Sequence, residues 1–179
     1  MNKEIVFAGL GGQGALTAGS VLAYAGAAKD LDVTWIPAYG SEVRGGAANC
    51  TVKLGDEEVA SPFPKKPDVL VALSESGLNE FGHKVKKGGT IVVNASVVRH
   101  IPEFDGVTVY TLPVNDIAKS MGSERSANLC ALGAAIHAVE DLVNLDEAEV
   151  GLKNYFKKVK DNSTNIAVLR AGYASVENN

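Results

Sequence analysis

The sequence is poor in the groups that usually announce chemistry. Its 179 residues include two cysteines, three histidines and one tryptophan. Cys50 and Cys130 lie far apart, with no CxxC pairing. That excludes a self-contained zinc or iron–sulfur site with cysteine ligands and fits a reducing compartment. His83, His100 and His137 share no ligand spacing, and no Asp/Glu cluster has metal spacing, so no metal site is expected. No Ser, Cys or Lys sits in a recognisable nucleophile setting, which leaves no catalytic residue to assign. The net charge of −4 gives no basic footprint for nucleic acid. The pairs Lys65–Lys66, Lys86–Lys87 and Lys157–Lys158 read as solvated surface. No apolar run approaches the ~20 residues that a membrane helix needs. The first residues lack the cationic, apolar and cleavage-site order of a signal peptide. We therefore expect a soluble cytoplasmic protein that engages neither nucleic acid nor membrane.

What is present suits a globular chain. A hydrophobic fraction of 46% and a charged fraction of 21% are ordinary, and the length fits a single domain over residues 1–179. Nearly continuous apolar runs occur at 4–9, 68–74, 90–95 and 107–112, with 32–37 a further member ended by Pro37. Unbroken rather than alternating, they suit strands covered on both faces. Segment 49–61 differs, alternating polar and apolar around Gly55–Asp56. It reads as an antiparallel hairpin with Cys50, Val52 and Leu54 on one side and a wet face carrying Thr51 and Lys53. "SPFPKKP" (61–67) reads as a loop leading to the next strand. Helices are expected over 13–29, from Arg125 through Val143, after an Asp146–Glu149 capping box with Leu152, Tyr155, Phe156 and Val159 on one face, and from about Asn162 with Ile166, Leu169, Tyr173 and Val176 on one face. The fold class is α/β: three-layer, Rossmann-like, with a mainly parallel sheet and an antiparallel hairpin.

Two loops hold the candidate site. After the first strand, Gly9, Gly11 and Gly14 spell G-x-G-x-x-G before a helix. Such glycines let backbone approach a phosphate at the helix N-terminus. A dinucleotide site also wants an acid at the end of the second strand, to hold the adenosine ribose. Here that strand runs into "TWIPAYGSE": Asp30 and Asp32 precede it, and Glu42 lies several residues beyond. The glycines remain open to three readings: tight strand–helix packing, a phosphate-bearing ligand other than NAD, or NAD. The second loop, "AYGSEVRGGAANC" (38–50), sets Tyr39, Glu42 and Arg44 among paired glycines at the carboxyl end of the sheet, where ligands gather. Arg44 suits a carboxylate or phosphate, and equally suits a pairing with Glu42 that shapes the loop.

Taken together, "GLGGQG", "YGSEVRGG", "PDVLVALSE" and "ERSANLCALGA" resemble, in order and over nearly the whole chain, the gamma subunit of 2-oxoacid:ferredoxin oxidoreductases. The "GGAANC" continuation is more similar to the 2-oxoglutarate branch than to the pyruvate branch. The resemblance implies a part in the oxidative decarboxylation of a 2-oxoacid with coenzyme A, giving an acyl-CoA and passing electrons to ferredoxin. It implies alpha and beta partner subunits, with delta where present. Thiamine diphosphate, Mg²⁺ and iron–sulfur clusters would sit on those partners, and coenzyme A at the subunit interface. The cofactor-binding positions carried over by motif are Gly11, Gly12, Gln13 and Gly14, then Tyr39, Glu42, Arg44, Gly45 and Gly46 with Gly40 among them, and Asn128. Ser41 departs from a frequent proline, which touches loop rigidity more than chemistry. The isolated chain is expected to be inactive and to form a homodimer through surface meant for partners. Two alternatives stand beside this: a stand-alone NAD(P)-dependent oxidoreductase, and a non-catalytic interaction domain.

Overall fold

The computed structural model describes residues 1–42, 45–57 and 66–177. Six strands form one sheet: β1 (Asn2–Leu10), β2 (Asp32–Tyr39), β3 (Ala47–Gly55), β4 (Val69–Ala72), β5 (Thr90–Asn94) and β6 (Thr108–Leu112), in the order β2-β3-β1-β4-β5-β6. β1, β4, β5 and β6 pair in parallel, while β3 pairs antiparallel with both β1 and β2. Five strands thus share one direction and β3 alone runs against them. The carboxyl ends of β1, β2, β4 and β5 meet the start of β3 at one end of the sheet.

The unbroken apolar runs are explained by two cores. Ile5 and Phe7 of β1 point to the larger one, with Cys50, Val52, Leu54, Val69, Val71 and Val92. Val6 and Ala8 point to the other face, with Leu70, Ala72, Ile91 and Val93. The large core is roofed by α1 (Ala15–Ala27), α3 (Val114–Ser120), α4 (Ala127–Ile136), α5 (Leu145–Tyr155) and α6 (Ser163–Glu177). The smaller core is covered by α2 (Glu75–Phe81), which places Leu78 there. The three-layer α/β expectation holds.

Several details differ from the sequence reading. The hairpin is β2–β3, its strands joined between Tyr39 and Ala47 rather than at Gly55–Asp56. Both edges of β3 are occupied along its length, so no arm returning after Asp56 can pair with it. Residues 58–61 of that expected arm, and 61–65 of the proline-rich loop, lie outside the described residues. Cys50, Val52 and Leu54 do share the core face. The opposite face is not open, for Lys53 is 9% exposed and its ammonium lies 3.4 Å from Glu4, its partner across the β1–β3 ladder.

Helix α4 stops at Ile136, and Val139 and Val143 are buried by the turns that follow. The capping box is Asn144–Glu147, two residues before the expected pair. The Asn144 side chain accepts from Glu147 N (3.0 Å), and Glu147 Oε2 accepts from Asn144 N (2.8 Å). Asp146 and Glu149 instead both pair with Arg170 of α6. Leu152 is buried as expected of α5, but Val159 lies beyond its end and is exposed. Helix α6 matches its expectation, with Leu169 buried and Ile166, Tyr173 and Val176 packed on the core.

Candidate functional site

β1 ends against a loop that must turn at once into α1. Gly12 and Gly14 take φ of 91° and 78°, a left-handed backbone that a side chain would strain. Gly14 is the N-cap of α1 and has no side chain to offer. Its carbonyl accepts the first helical bond, from Ala18 N at 3.0 Å, and the first-turn N–H groups ahead of it have no side-chain cap. The amide of Asn128, buried at the start of α4, donates to the same oxygen at 3.1 Å. A Cβ on Gly14 would lie 2.5 Å from that amide nitrogen.

Gln13 does not point outward. Its Oε1 accepts from Leu10 N at 2.6 Å, and its Nε2 donates to Leu73 O at 2.9 Å. One side chain thus ties the carboxyl ends of β1 and β4 together. Gly11 N donates to Gly46 O at 2.9 Å, which braces the glycine loop against the turn of the β2–β3 hairpin. Gly40 N to Ala47 O, 2.8 Å, closes the base of that turn.

Between the two loops lies a cleft of about 470 Å³. Gly11, Gly12, Gly14 and the first turn of α1 form one wall; Tyr39, Glu42, Gly45 and Gly46 form the other. The first turn of α1 carries no acidic residue. Its amides and the positive end of the helix dipole face the cleft, a setting for a phosphate or carboxylate. Tyr39 is 72% exposed at the rim and free to cover a ligand or meet a partner. Arg44, the cation expected here, lies outside the described residues. Beneath the floor, Cys50 Sγ sits 3.5 Å from Ala15 O; burial pushes its thiol up to about 12, so it is no nucleophile at neutral pH.

Of the expected positions, Gly11, Gly12, Gly14, Tyr39, Glu42, Gly45 and Gly46 share this cleft. Gln13 and Asn128 turn to the other side of the glycine loop. With Gly12 they line a second crevice of about 140 Å³, completed by Leu73, Asn94, Asn115, Glu124 and Arg125. Asn94, Asn115 and Arg125 were not anticipated. A polar Asn closing the apolar strand "TIVVN" at its carboxyl end was the signal that could have found the first. The three histidines fall in separate places: His83 beside Phe104, His100 against Glu75 and His137 stacked on Tyr173. Among the described residues, no group of three or more His, Cys, Asp or Glu could hold a metal ion, and no helix is long and apolar enough to cross a membrane.

The loop geometry also bears on the dinucleotide question. β2 runs parallel to β1 but two strands away, with β3 between them. At ~4.8 Å per strand its end stands about 10 Å from the glycine loop. The carbonyl of Gly46 already occupies the Gly11 amide on that side.

Residues 4–175 match the family model described as pyruvate ferredoxin/flavodoxin oxidoreductase. The chain is 37% identical, over 94% of its length, to the ketoisovalerate oxidoreductase subunit VorA of Methanothermobacter thermautotrophicus, but spans only 35% of that protein. It is 33% identical to the 2-oxoglutarate synthase subunit KorC of Methanocaldococcus jannaschii, covering 97% of this chain and 93% of that one. Among solved structures, it superposes on the gamma subunit of a keto/oxoacid ferredoxin oxidoreductase from Geobacter sulfurreducens with a TM-score of 0.83 and 27% identity, over 99% of both chains. It also superposes on a 2-oxoglutarate:ferredoxin oxidoreductase from Magnetococcus marinus, solved with 2-oxoglutarate, coenzyme A and succinyl-CoA bound. There the TM-score is 0.84 with 26% identity, over 99% of this chain and 31% of the other. Matched from the first strand to the last helix, the chain belongs to the pyruvate ferredoxin/flavodoxin oxidoreductase family.

Proposed function

We propose that this chain is the gamma-type subunit of a 2-oxoacid:ferredoxin oxidoreductase acting on 2-oxoglutarate. The observation that carries this is the end-to-end correspondence, 99% of both chains, with a gamma subunit that is itself a separate chain. The described residues supply a shaped cleft at the carboxyl end of the sheet, which suits a subunit that completes an assembly. In this reading the alpha and beta subunits hold thiamine diphosphate, Mg²⁺ and the iron–sulfur clusters that pass electrons to ferredoxin.

The cleft between the glycine loop and the hairpin turn is offered to coenzyme A at the subunit interface. Its fit rests on the α1 N-terminus, whose first-turn amides line the cleft without an acidic neighbour in that turn. Gly11, Gly12 and Gly14 let a phosphate approach backbone; Tyr39 and Glu42 form the opposite rim. Coenzyme A supplies the thiol that receives the acyl group; this chain's part is to bind and orient its phosphates.

The test is co-expression with alpha and beta oxidoreductase subunits from the same genome. We expect a stable complex whose succinyl-CoA synthesis from 2-oxoglutarate requires this chain, and in which Tyr39→Ala raises KM for coenzyme A more than it lowers kcat. Failure to copurify, or full turnover without this chain, would overturn the proposal. A second reading takes 2-ketoisovalerate as substrate, favoured by the 37% identity to the ketoisovalerate oxidoreductase subunit. Comparing kcat/KM for the two acids on the same complex decides between them.

A further inference from the structure

The second crevice lies where the strand order reverses. From β1 the chain leaves through α1 toward β2 and β3 on one side; β4 and β5 continue on the other. Ligands of open α/β sheets enter outside the carboxyl ends of the strands at such a point. Here Gln13 bridges the ends of β1 and β4, so the opening is displaced toward the ends of β4 and β5. Leu73 follows the first of these strands and Asn94 ends the second.

The side chains around it form an ordered relay. Ser96 N donates to Asn94 Oδ1 at 3.1 Å, which fixes the orientation of that buried amide. Asn94 Nδ2 then donates to Asn115 Oδ1 at 3.0 Å. With its oxygen engaged, Asn115 is left with an Nδ2 that can only donate, on a half-buried residue lining the crevice. Arg125 lines it as well and makes no ion pair among the described residues. Behind these, α4 begins at Ala127 with no acidic residue in its first turn. The free donors are the Asn115 amide and a planar cation, a pairing that suits a two-oxygen or tetrahedral anion. Glu124 lines the crevice as its anionic member and would set the charge of what is accepted. At about 140 Å³ it is much smaller than the 470 Å³ cleft on the other side of the glycine loop. That suits one compact oxyanion group.

We propose that this crevice is an oxyanion-binding site, in which Asn115 Nδ2 and the Arg125 guanidinium hold a single phosphate or carboxylate group of a small ligand. It does not depend on the assembly proposed above, since every group that forms it belongs to this chain. The test titrates the full ¹⁵N-labelled chain in two separate arms, one with inorganic phosphate and one with 2-oxoglutarate. We expect saturable movement of the Asn115 side-chain amide and the Arg125 Nε–H resonances in at least one arm, the responding arm naming the class of anion. Arg125→Gln, at an exposed position, should weaken the responding anion by about tenfold. Asn115→Asp should weaken it further by placing a like charge in the site. No saturable shift of these resonances with either probe, or affinities unchanged in Arg125→Gln, would overturn the proposal. Copurification with partner subunits is a separate readout, which Arg125→Gln is expected to leave intact.

Discussion

The backbone N–H of Gly11 is donated to the carbonyl of Gly46, 2.9 Å away, so the glycine loop is closed on one flank by the chain's own hairpin turn. In a dinucleotide site the corresponding space belongs to the cofactor, and an acid at the end of the neighbouring strand holds the ribose. Here the neighbouring strand is β3, running the wrong way. Titration with NADH or NADPH should therefore give no saturable change in nicotinamide fluorescence. Tight, saturable binding of either would return the chain to the dinucleotide-dependent class.

Gly12 and Gly14 both hold positive φ, but they should respond differently to alanine. A Cβ at Gly12 meets nothing within 4 Å, whereas at Gly14 it meets the buried Asn128 amide. Left-handed strain alone costs about 1–2 kcal/mol. Gly14→Ala adds displacement of Asn128 and loss of its hydrogen bond to Gly14 O, about 1 kcal/mol more. Urea unfolding should show Gly14→Ala to be the worse of the two. Equal losses would mean that Asn128 gives way freely.

The strands were legible because a sheet buried on both faces leaves continuous apolar runs, and the two cores on Ile5/Phe7 and Val6/Ala8 are the cause. The place of β3 was not legible. Gly55–Asp56 has turn chemistry, but pairing is decided by which edges are free, and β1 and β2 take both. Helices α2 and α3, seven residues each, are too short to show a periodic stripe. Asp146–Glu149 and Asn144–Glu147 have the same cap spacing; Arg170, distant in sequence, claims the first pair. At the site, the glycine loop and the loop after the second strand were legible as motifs. Gln13 and Asn128 were found too, but their role as clamps depends on Leu73 and Gly14, contacts no local pattern encodes.

The two cysteines make stability fall at alkaline pH. Burial pushes both thiols from 9.0 up to about 12. Above pH 9 the unfolded chain releases these protons and the native state keeps them, so the unfolded state gains. The contribution is whole below pH 9 and is lost as pH rises toward 12, at up to about 1.4 kcal/mol per thiol per pH unit. Tyr173, whose hydroxyl is held protonated by its bond to Glu140, adds a loss of the same sign only above 10.0. Urea midpoints compared below pH 9 and about one unit above it should therefore drop, and the Cys50→Ala/Cys130→Ala variant should flatten that drop. The same burial predicts no reaction with a thiol-specific disulfide reagent at pH 8 until the chain is unfolded.

The roof of the large core offers a test of coupling. α4 and α6 cross backbone to backbone: a Cβ on Gly133 would strike the Leu169 carbonyl oxygen, and one on Gly172 the Cys130 carbonyl oxygen. Neither neighbour is a side chain that can rotate aside, so either alanine must push the helices apart. We expect each to cost about 1–3 kcal/mol, as overpacking does, read as a lower urea midpoint. One displacement of α6 relieves both clashes, so Gly133→Ala/Gly172→Ala should cost distinctly less than the sum of the single changes. A strictly additive pair would show that the two contacts are relieved by separate local shifts, and that the α4–α6 crossing does not move as a unit.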